Sequence, residues 1–389
     1  MSPTLTKFQK LNPTEIMFEN YNREFKIFII CYWLTLEFKN KVSEEQIKEA
    51  LRIISRNMEI LNLCIRKENG HYWFYKMDEE KIPLQVLKNQ SPESVYWKRG
   101  EYMYRFCNWT TLACYLYYHF SKALNDVIGK NVQKIYDFGQ FNDGHETKEL
   151  LIQRTEYLKS NHGYCEEIRT MKSKFDNAKV LLTEYFPVQK DAEKKTKFIH
   201  GEINKEITAN LIKVFKSKGI SFHAGFCSVF NWVLMDTLTE KGLTDKEIEL
   251  PTRHALNLRR YWKKSSSEQL GYHVKSFALL SKTDQNVGEN FWEYAKEFNK
   301  ELKSAIENMR AIDWTAEEYL ANMSSEPQLD DSLKVFENVP PPPITPPSLL
   351  PPSHKVYYNT SNIGDISSNL QGERDHVNIK FLSRGASIR

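Results

Sequence analysis

The sequence lacks the features that mark several common classes of protein. Its 54 basic and 50 acidic residues are intermixed and leave a net charge of only +4. No dense run of Lys or Arg stands out, so we do not expect nucleic acid as a partner. A Gly-rich phosphate loop is absent too, which argues against nucleotide-triphosphate chemistry. The longest apolar run, Phe25–Phe38, is too short to cross a bilayer and predicts a buried strand, so no membrane span is expected.

Cysteine is scarce, and its distribution does not suggest a disulfide framework. The six cysteines lie far apart, mostly among apolar neighbours, which is typical of reduced, buried thiols. The N-terminus has no apolar signal-peptide core, so we expect a cytoplasmic protein. The pair His162-x-x-Cys165 has the spacing of metal ligands, but no second pair lies nearby. We therefore predict no metal site and no bound cofactor.

Hydrophobic patterning predicts helices and strands along most of the chain. Ser43-Glu-Glu-Gln46 has the form of a capping box, and an apolar helical face follows it. Asn69-Gly70 favours a tight hairpin turn between two predicted strands, Leu61–Arg66 and His71–Met77. Helical periodicity also covers Thr110–Val127, Glu146–Ser160, the segment from Ile207 to Gly219, the segment from Ser221, and Glu289–Arg310.

The alternation of strands and helices predicts a layered α/β protein of two domains. We place an N-terminal domain at 1–188, a charged linker without periodicity at 189–198, and a C-terminal domain at 199–389. A proline-rich insert at 340–352 interrupts the second domain, and such a run cannot join a sheet interior.

Two stretches in the second half carry the most specific motifs. The first begins Gly219-Ile-Ser-Phe-His223 and continues, after a loop, through His254-Ala-Leu-Asn-Leu-Arg259 to a Leu270-Gly pair. The second is Tyr357-Tyr-Asn-Thr-Ser-Asn-Ile-Gly-Asp365. In this order they resemble the C-terminal half of the alcohol acyltransferase and condensation-domain branch of the chloramphenicol acetyltransferase superfamily. Each motif is short, but their order and spacing agree over most of the chain.

The resemblance implies a fold and an activity. It implies two chloramphenicol-acetyltransferase-like domains with mixed sheets flanked by helices, and a groove between them. It also implies transfer of an acyl group from CoA or a carrier thioester to an alcohol or amine. Acyl-CoA would then be a co-substrate, and the alcohol or amine the acceptor.

The catalytic motif of that family, His-His-x-x-x-Asp-Gly, is missing. None of the ten histidines is adjacent to another. The place where the motif should fall is the junction of Phe106 and Cys107, where the flanking family-like segments are joined directly. The sequence also ends soon after the Ser-Asn-x-Gly strand, where relatives continue. We therefore expect an inactive form that arises from a partial gene model or a splice variant.

No catalytic residue can be assigned, and the candidates concern the substrate channel only. The resemblance implies channel-lining positions for residues of the shared motifs: His223, Asn257, Arg259, Ser361, Asn362 and Gly364. His223 is expected in the first turn of a helix, where the helix dipole would keep it neutral. His119 is the nearest replacement for the missing base, but its helical neighbours predict a buried position.

Three hypotheses remain open at this point. The chain is an acyltransferase by ancestry whose present form is inactive, a non-catalytic protein that binds an acyl-thioester or a protein, or a fragment without function. Pro343-x-x-Pro346 is compatible with a polyproline-binding partner, although a plain extended spacer explains it better.

Overall fold

The computed structural model describes residues 5–11, 15–16, 19–20, 29–77, 84, 110–130, 145–187, 199, 201–262, 273–322, 356–362, 364 and 376–387. The strands, in chain order, are β1 (Leu5–Lys10), β2 (Ile29–Phe38), β3 (Leu63–Glu68), β4 (His71–Met77), β5 (Glu247–Asn257), β6 (Val274–Asp284), β7 (Tyr358–Thr360) and β8 (Val377–Ser387). The helices are α1 (Glu44–Asn57), α2 (Thr110–Ile128), α3 (His145–Ser160), α4 (His162–Asn177), α5 (Leu182–Tyr185), α6 (Lys205–Ser217), α7 (Phe222–Glu240), α8 (Phe291–Glu307) and α9 (Arg310–Asn322). Short 3₁₀ turns cover Glu59–Asn62 and Leu258–Tyr261.

The first sheet contains the predicted hairpin of β3 and β4, together with strand β1, which the sequence did not predict. Strands β1, β4 and β3 pair in that order and are antiparallel throughout. Asn69 and Gly70 both have positive φ, at 49° and 82°, which the two-residue turn between β3 and β4 requires. The capping box at the start of α1 is also confirmed, since Ser43 and Gln46 each accept a backbone N–H from the other.

The second sheet joins the two ends of the described chain. Strand β2 pairs antiparallel with β8, with Leu34 opposite Leu382. Helices α1 and α2 pack against this pair, and Ile54, Leu124 and Val377 meet in one apolar core. The C-terminal strand therefore completes the packing of N-terminal elements.

The third sheet is mixed and lies within the C-terminal part of the chain. Strand β5 is central, antiparallel to β6 and parallel to β7. Helices α7 and α8 pack on it through a core that includes Phe215, Phe277 and Phe298. A Cβ placed on Gly225 of α7 would lie 2.5 Å from the Phe215 ring, so this close approach requires glycine.

Helices α3 and α4 pack on α9, although they precede the predicted linker and α9 follows it. Arg154 of α3 pairs with Asp313 of α9, and Leu158, Ile168 and Ala316 share one core. This packing ties residues of the predicted N-terminal domain to residues of the predicted C-terminal one. The division at 189–198 stays a prediction, and the proline-rich insert 340–352 lies outside the described residues.

The predicted fold class, layered α/β with mixed sheets and flanking helices, is confirmed by these elements. Boundaries differ by a few residues, because β3 begins at Leu63 after a 3₁₀ turn and α8 runs from Phe291 to Glu307. Among the described residues, no helix is both long enough and apolar enough to cross a membrane.

Candidate functional site

A cluster of hydrogen-bonding side chains lies where α7 meets the third sheet. Ser221 caps α7 by accepting the N–H of Ala224, which sets His223 in the first helical turn. Thr252 and His254 are two residues apart in β5 and therefore share one face of the strand. In the parallel register of β5 with β7, His254 lies opposite Thr360. The backbone of three elements thus brings His223, His254 and Thr360 together.

The side chains in this cluster are within hydrogen-bonding distance. Nε2 of His223 lies 3.3 Å from Nδ1 of His254. The Thr360 hydroxyl is 2.7 Å from His254 Nδ1 and 3.4 Å from His223 Nε2. On the far side of the ring, His254 Nε2 is 3.0 Å from the Thr252 hydroxyl. The His254 ring is therefore held at both nitrogens, while its face packs near Phe277.

Cys227 follows His223 by one helical turn and points to the same place. Its Sγ lies 3.8 Å from Nε2 of His223. The thiol is buried, and burial raises its pKa to about 12. At neutral pH it is a protonated thiol, unless a cation in the cluster takes the place of the proton.

Burial also determines the charge of the two histidines. It lowers the pKa of His254 to about 3, with a smaller contribution from the neighbouring His223. Burial lowers the pKa of His223 in the same direction. Both imidazoles are consequently neutral at pH 7; for His223 the neutral state agrees with the prediction, but its cause here is burial and not the helix dipole. Neutral imidazoles can accept a proton only weakly here, because the protonated ring would lie in an apolar surrounding.

A second layer of polar groups lies beneath the cluster. The Tyr358 hydroxyl donates to Asn231 Oδ1 at 2.7 Å, and Asn231 Nδ2 donates to the Tyr294 hydroxyl at 2.7 Å. Tyr294 is also 2.8 Å from the Thr283 hydroxyl. Burial raises the pKa of Tyr358 and of Tyr294, so both stay protonated. This chain of bonds fixes β7 against α7.

The other predicted channel residues lie on the two connections that follow strands β5 and β7. Asn257 ends β5, and its Oδ1 accepts the backbone N–H of Arg259 in the following 3₁₀ turn. The Arg259 guanidinium lies 5.5 Å from the centre of the Trp262 ring, and burial lowers its pKa to about 10. Trp262 in turn packs edge-on against the buried His273.

Ser361, Asn362 and Gly364 follow Thr360 on an exposed turn. The Asn362 side chain accepts the N–H of Gly364 at 2.8 Å, and Gly364 has a φ of +81°. This is an Asx turn that uses Asn and Gly for their backbone freedom. The interpretation of these three residues as channel-lining stays a prediction.

His254, Cys227 and Thr360 were missed by the sequence interpretation. The i, i+4 spacing of His223 and Cys227 and the alternation of Thr252 and His254 were available as signals. Neither pattern reveals that α7 and β5 face each other. His119 is buried, as predicted, in the middle of α2. The junction of Phe106 and Cys107 lies outside the described residues.

Comparison with known proteins identifies the fold. Polyketide synthase associated protein 5 from Mycobacterium tuberculosis is similar over 99% of this chain and 88% of its own, with a TM-score of 0.55 and 11% identity. The condensation domain of the monacolin K polyketide synthase is similar over 83% of this chain and 77% of its own, with a TM-score of 0.54 and 11% identity. The epimerization domain of the third module of tyrocidine synthetase B is similar over 83% of this chain and 77% of its own, with a TM-score of 0.51 and 9% identity.

No protein-family model and no curated protein matches the sequence. At these identities the solved structures establish the fold and not the activity. The chain has the fold of condensation domains, and the predicted resemblance to the chloramphenicol-acetyltransferase-like fold is confirmed at that level.

Proposed function

We propose that this chain is a protein of the acyltransferase class whose 389-residue form does not transfer acyl groups. The observation that carries the proposal is the absence of any adjacent pair of histidines in a chain with the condensation-domain fold. Acyl transfer to an alcohol or amine needs a base that accepts the acceptor's proton, and the family takes that base from the missing motif.

The buried histidines of the described chain are poor substitutes for that base. A general base works best when the pKa of its protonated form lies near the operating pH. The pKa of His254 and of His273 is about 3, and that of His223 is lowered in the same direction. His119 is buried in the middle of α2, so its ring is largely closed to solvent.

The test is a thiol-release assay with purified protein, a series of acyl-CoA donors, and simple alcohols and amines as acceptors. We expect CoA to be released no faster than in buffer without protein, because loss of a general base lowers the transfer rate by about 10²- to 10⁴-fold. Parallel assays on His119→Ala and His223→Ala identify any histidine that has taken over. Turnover well above buffer that either substitution abolishes would contradict the proposal.

A second candidate function is binding of an acyl-thioester without catalysis, and an exposed apolar stripe on α7 favours it. Phe226, Phe230 and Val233 are 37%, 50% and 55% exposed and follow one another along the helix. Phe226 stacks on Phe222, and Phe230 lies against Tyr358 of the polar layer. An acyl chain laid on this stripe would bury apolar surface next to the cluster.

Calorimetric titration with a long-chain acyl-CoA tests this second candidate. Phe230→Ser should weaken binding by about 10- to 100-fold, since burial of a Phe side chain is worth about 1.5–3 kcal/mol. Phe186→Ser is the matched control, because Phe186 is also exposed, at 38%, and lies outside α7. Equal effects of the two substitutions, or no binding by the unmodified chain, would exclude the stripe as the acyl site.

A further inference from the structure

Three potential metal ligands converge in the cluster between α7 and β5. They belong to His223, Cys227 and His254, each of which offers one ligand atom, and the three atoms lie within 4.8 Å of one another. Two of the ligands come from successive turns of one helix, and the third from a central strand. Imidazole nitrogen and thiolate sulfur are the ligands that zinc prefers.

We propose that His223, Cys227 and His254 form a site for a single Zn²⁺ ion. Tetrahedral zinc with ordinary Zn–N and Zn–S bonds places two nitrogen ligands about 3.3 Å apart and a nitrogen and a sulfur about 3.6 Å apart. The corresponding separations here are 3.3 Å between the two imidazole nitrogens and 3.8 Å between His223 Nε2 and Cys227 Sγ. The ligand atoms of Cys227 and His254 lie within 4.8 Å of each other, so the Cys227 side chain turns toward His254 when the ion binds.

The surroundings hold His254 in the orientation that a metal ligand needs. When His254 donates its Nε2 proton to the Thr252 hydroxyl, its Nδ1 carries the lone pair and lies 3.3 Å from His223 Nε2. The Thr360 hydroxyl lies 2.7 Å from the same nitrogen and gives up that hydrogen bond when the ion binds. A hydrogen bond from the second ring nitrogen is the usual support of a zinc-bound histidine. Because His254 lies in the central strand of the sheet and is almost fully buried, this orientation is set by the fold and not by the ion.

The fourth coordination position of the proposed ion would face the half-buried side of the cluster. His223 and Thr360 are both partly accessible, whereas Cys227 and His254 are not. The Thr360 hydroxyl lies 2.7 Å from His254 Nδ1 and 3.4 Å from His223 Nε2, so it borders that position and would hydrogen-bond a water there once it has released His254 Nδ1. Three protein ligands with one open position are the usual arrangement of a zinc ion that also binds water or a ligand.

Proton and charge balance are straightforward. Cys227 binds as the thiolate, and its proton leaves to solvent when the Zn–S bond forms. The two imidazoles bind in their neutral form and release no proton. The occupied site carries one net positive charge, from a divalent ion and one thiolate. This site is independent of the missing catalytic motif and of the proposed loss of acyl transfer.

The full-length protein, stripped with chelator and kept reduced, is titrated with Co²⁺ as a spectroscopic substitute for Zn²⁺. We expect one Co²⁺ per chain, with a thiolate-to-cobalt charge-transfer band and intense tetrahedral visible bands, and displacement of both by Zn²⁺. Cys227→Ser should abolish the charge-transfer band and weaken binding by about 100-fold or more. His223→Asn should weaken binding to a similar degree.

Cys165→Ser is the matched control, because Cys165 is also a buried free thiol but packs in the core of α3, α4 and α9. It should keep the bands and the affinity of the unmodified chain. A thermal melt of each variant verifies that it is folded. A folded unmodified chain that shows no charge-transfer band would overturn the proposal, as would a band that persists in Cys227→Ser. Loss of the band in Cys165→Ser alone would place the metal elsewhere.

Discussion

Arg154 of α3 and Asp313 of α9 are 159 residues apart in the chain and form a bidentate ion pair. The two N–O distances are 2.6 Å and 2.8 Å, and the Asp313 side chain is completely buried. The Tyr164 hydroxyl donates to the same carboxylate at 2.9 Å. One acidic side chain of α9 therefore holds both α3 and α4.

Replacing Arg154 by Leu should destabilise the protein by about 3–5 kcal/mol, because the Asp313 carboxylate would remain buried without its counter-charge. The free energy of unfolding in urea measures the effect. Lys159→Ala is the control on the same helix, since Lys159 forms only an exposed pair with Glu156 and should cost at most about 0.5 kcal/mol. A loss below about 1 kcal/mol for Arg154→Leu would show that the pair does not hold the helices together.

Substitution of Gly225 tests the contact between α6 and α7. Gly225→Ala places a methyl group 2.5 Å from the buried Phe215 ring, and overpacking of this kind costs about 1–3 kcal/mol. The double variant Gly225→Ala, Phe215→Leu should recover part of that loss, because the smaller Leu side chain makes room for the added methyl group. Gly163→Ala is the control, because nothing lies near its added methyl group in helix α4. It should be neutral or stabilise by up to about 1 kcal/mol. Equal melting temperatures for Gly225→Ala and Gly163→Ala would refute the close approach.

His273 should make the protein sensitive to acid. Burial, and to a lesser extent the nearby Arg259 charge, lower its pKa from 6.5 to about 3, while its neighbours Trp262 and Thr147 are uncharged. The unfolded chain therefore takes up a proton below pH 6.5 that the folded chain refuses until about pH 3. Burial of the neutral His273 ring therefore does not lower the free energy of unfolding above pH 6.5, but it lowers that free energy progressively as the pH falls from 6.5 to about 3.

Urea unfolding of the unmodified chain and of His273→Gln at pH 7 and pH 5 measures this linkage. The variant should lose less stability over that interval, with a difference of about 2 kcal/mol from one proton over about 1.5 pH units. Parallel pH dependences would mean that the folded protein protonates His273 as readily as the unfolded chain does.

Local features of the fold were predictable because their causes are local. The capping box at Ser43 and the turn at Asn69-Gly70 depend on residues only a few positions apart, and both are confirmed. The helix that begins after Ser221 is confirmed for the same reason, although its apolar composition did not predict that Phe226, Phe230 and Val233 are exposed. The order of short motifs was enough to predict the fold itself.

The site was predicted only in part because it depends on tertiary pairing. His223 was singled out, but its partners His254 and Thr360 come from strands whose parallel pairing no local pattern encodes. Charge does not reveal them either, since the cluster consists of neutral groups. The Arg154–Asp313 pair was missed for a similar reason, because charged residues at intervals on two helices usually indicate solvated faces.

The loss of acyl transfer is the central claim, and restoring the motif tests it most directly. A family-type strand end with His-His-x-x-x-Asp-Gly is inserted between Phe106 and Cys107, and a matched insertion carries Ala in place of the second His. Thiol release from acyl-CoA in the presence of an alcohol is then measured for both insertions and for the unmodified chain. We predict background rates for the unmodified chain, transfer by the His-His form, and a rate about 10²- to 10⁴-fold lower for the Ala form. Turnover by the unmodified chain equal to that of the His-His form, or a folded His-His form without activity, would contradict the account.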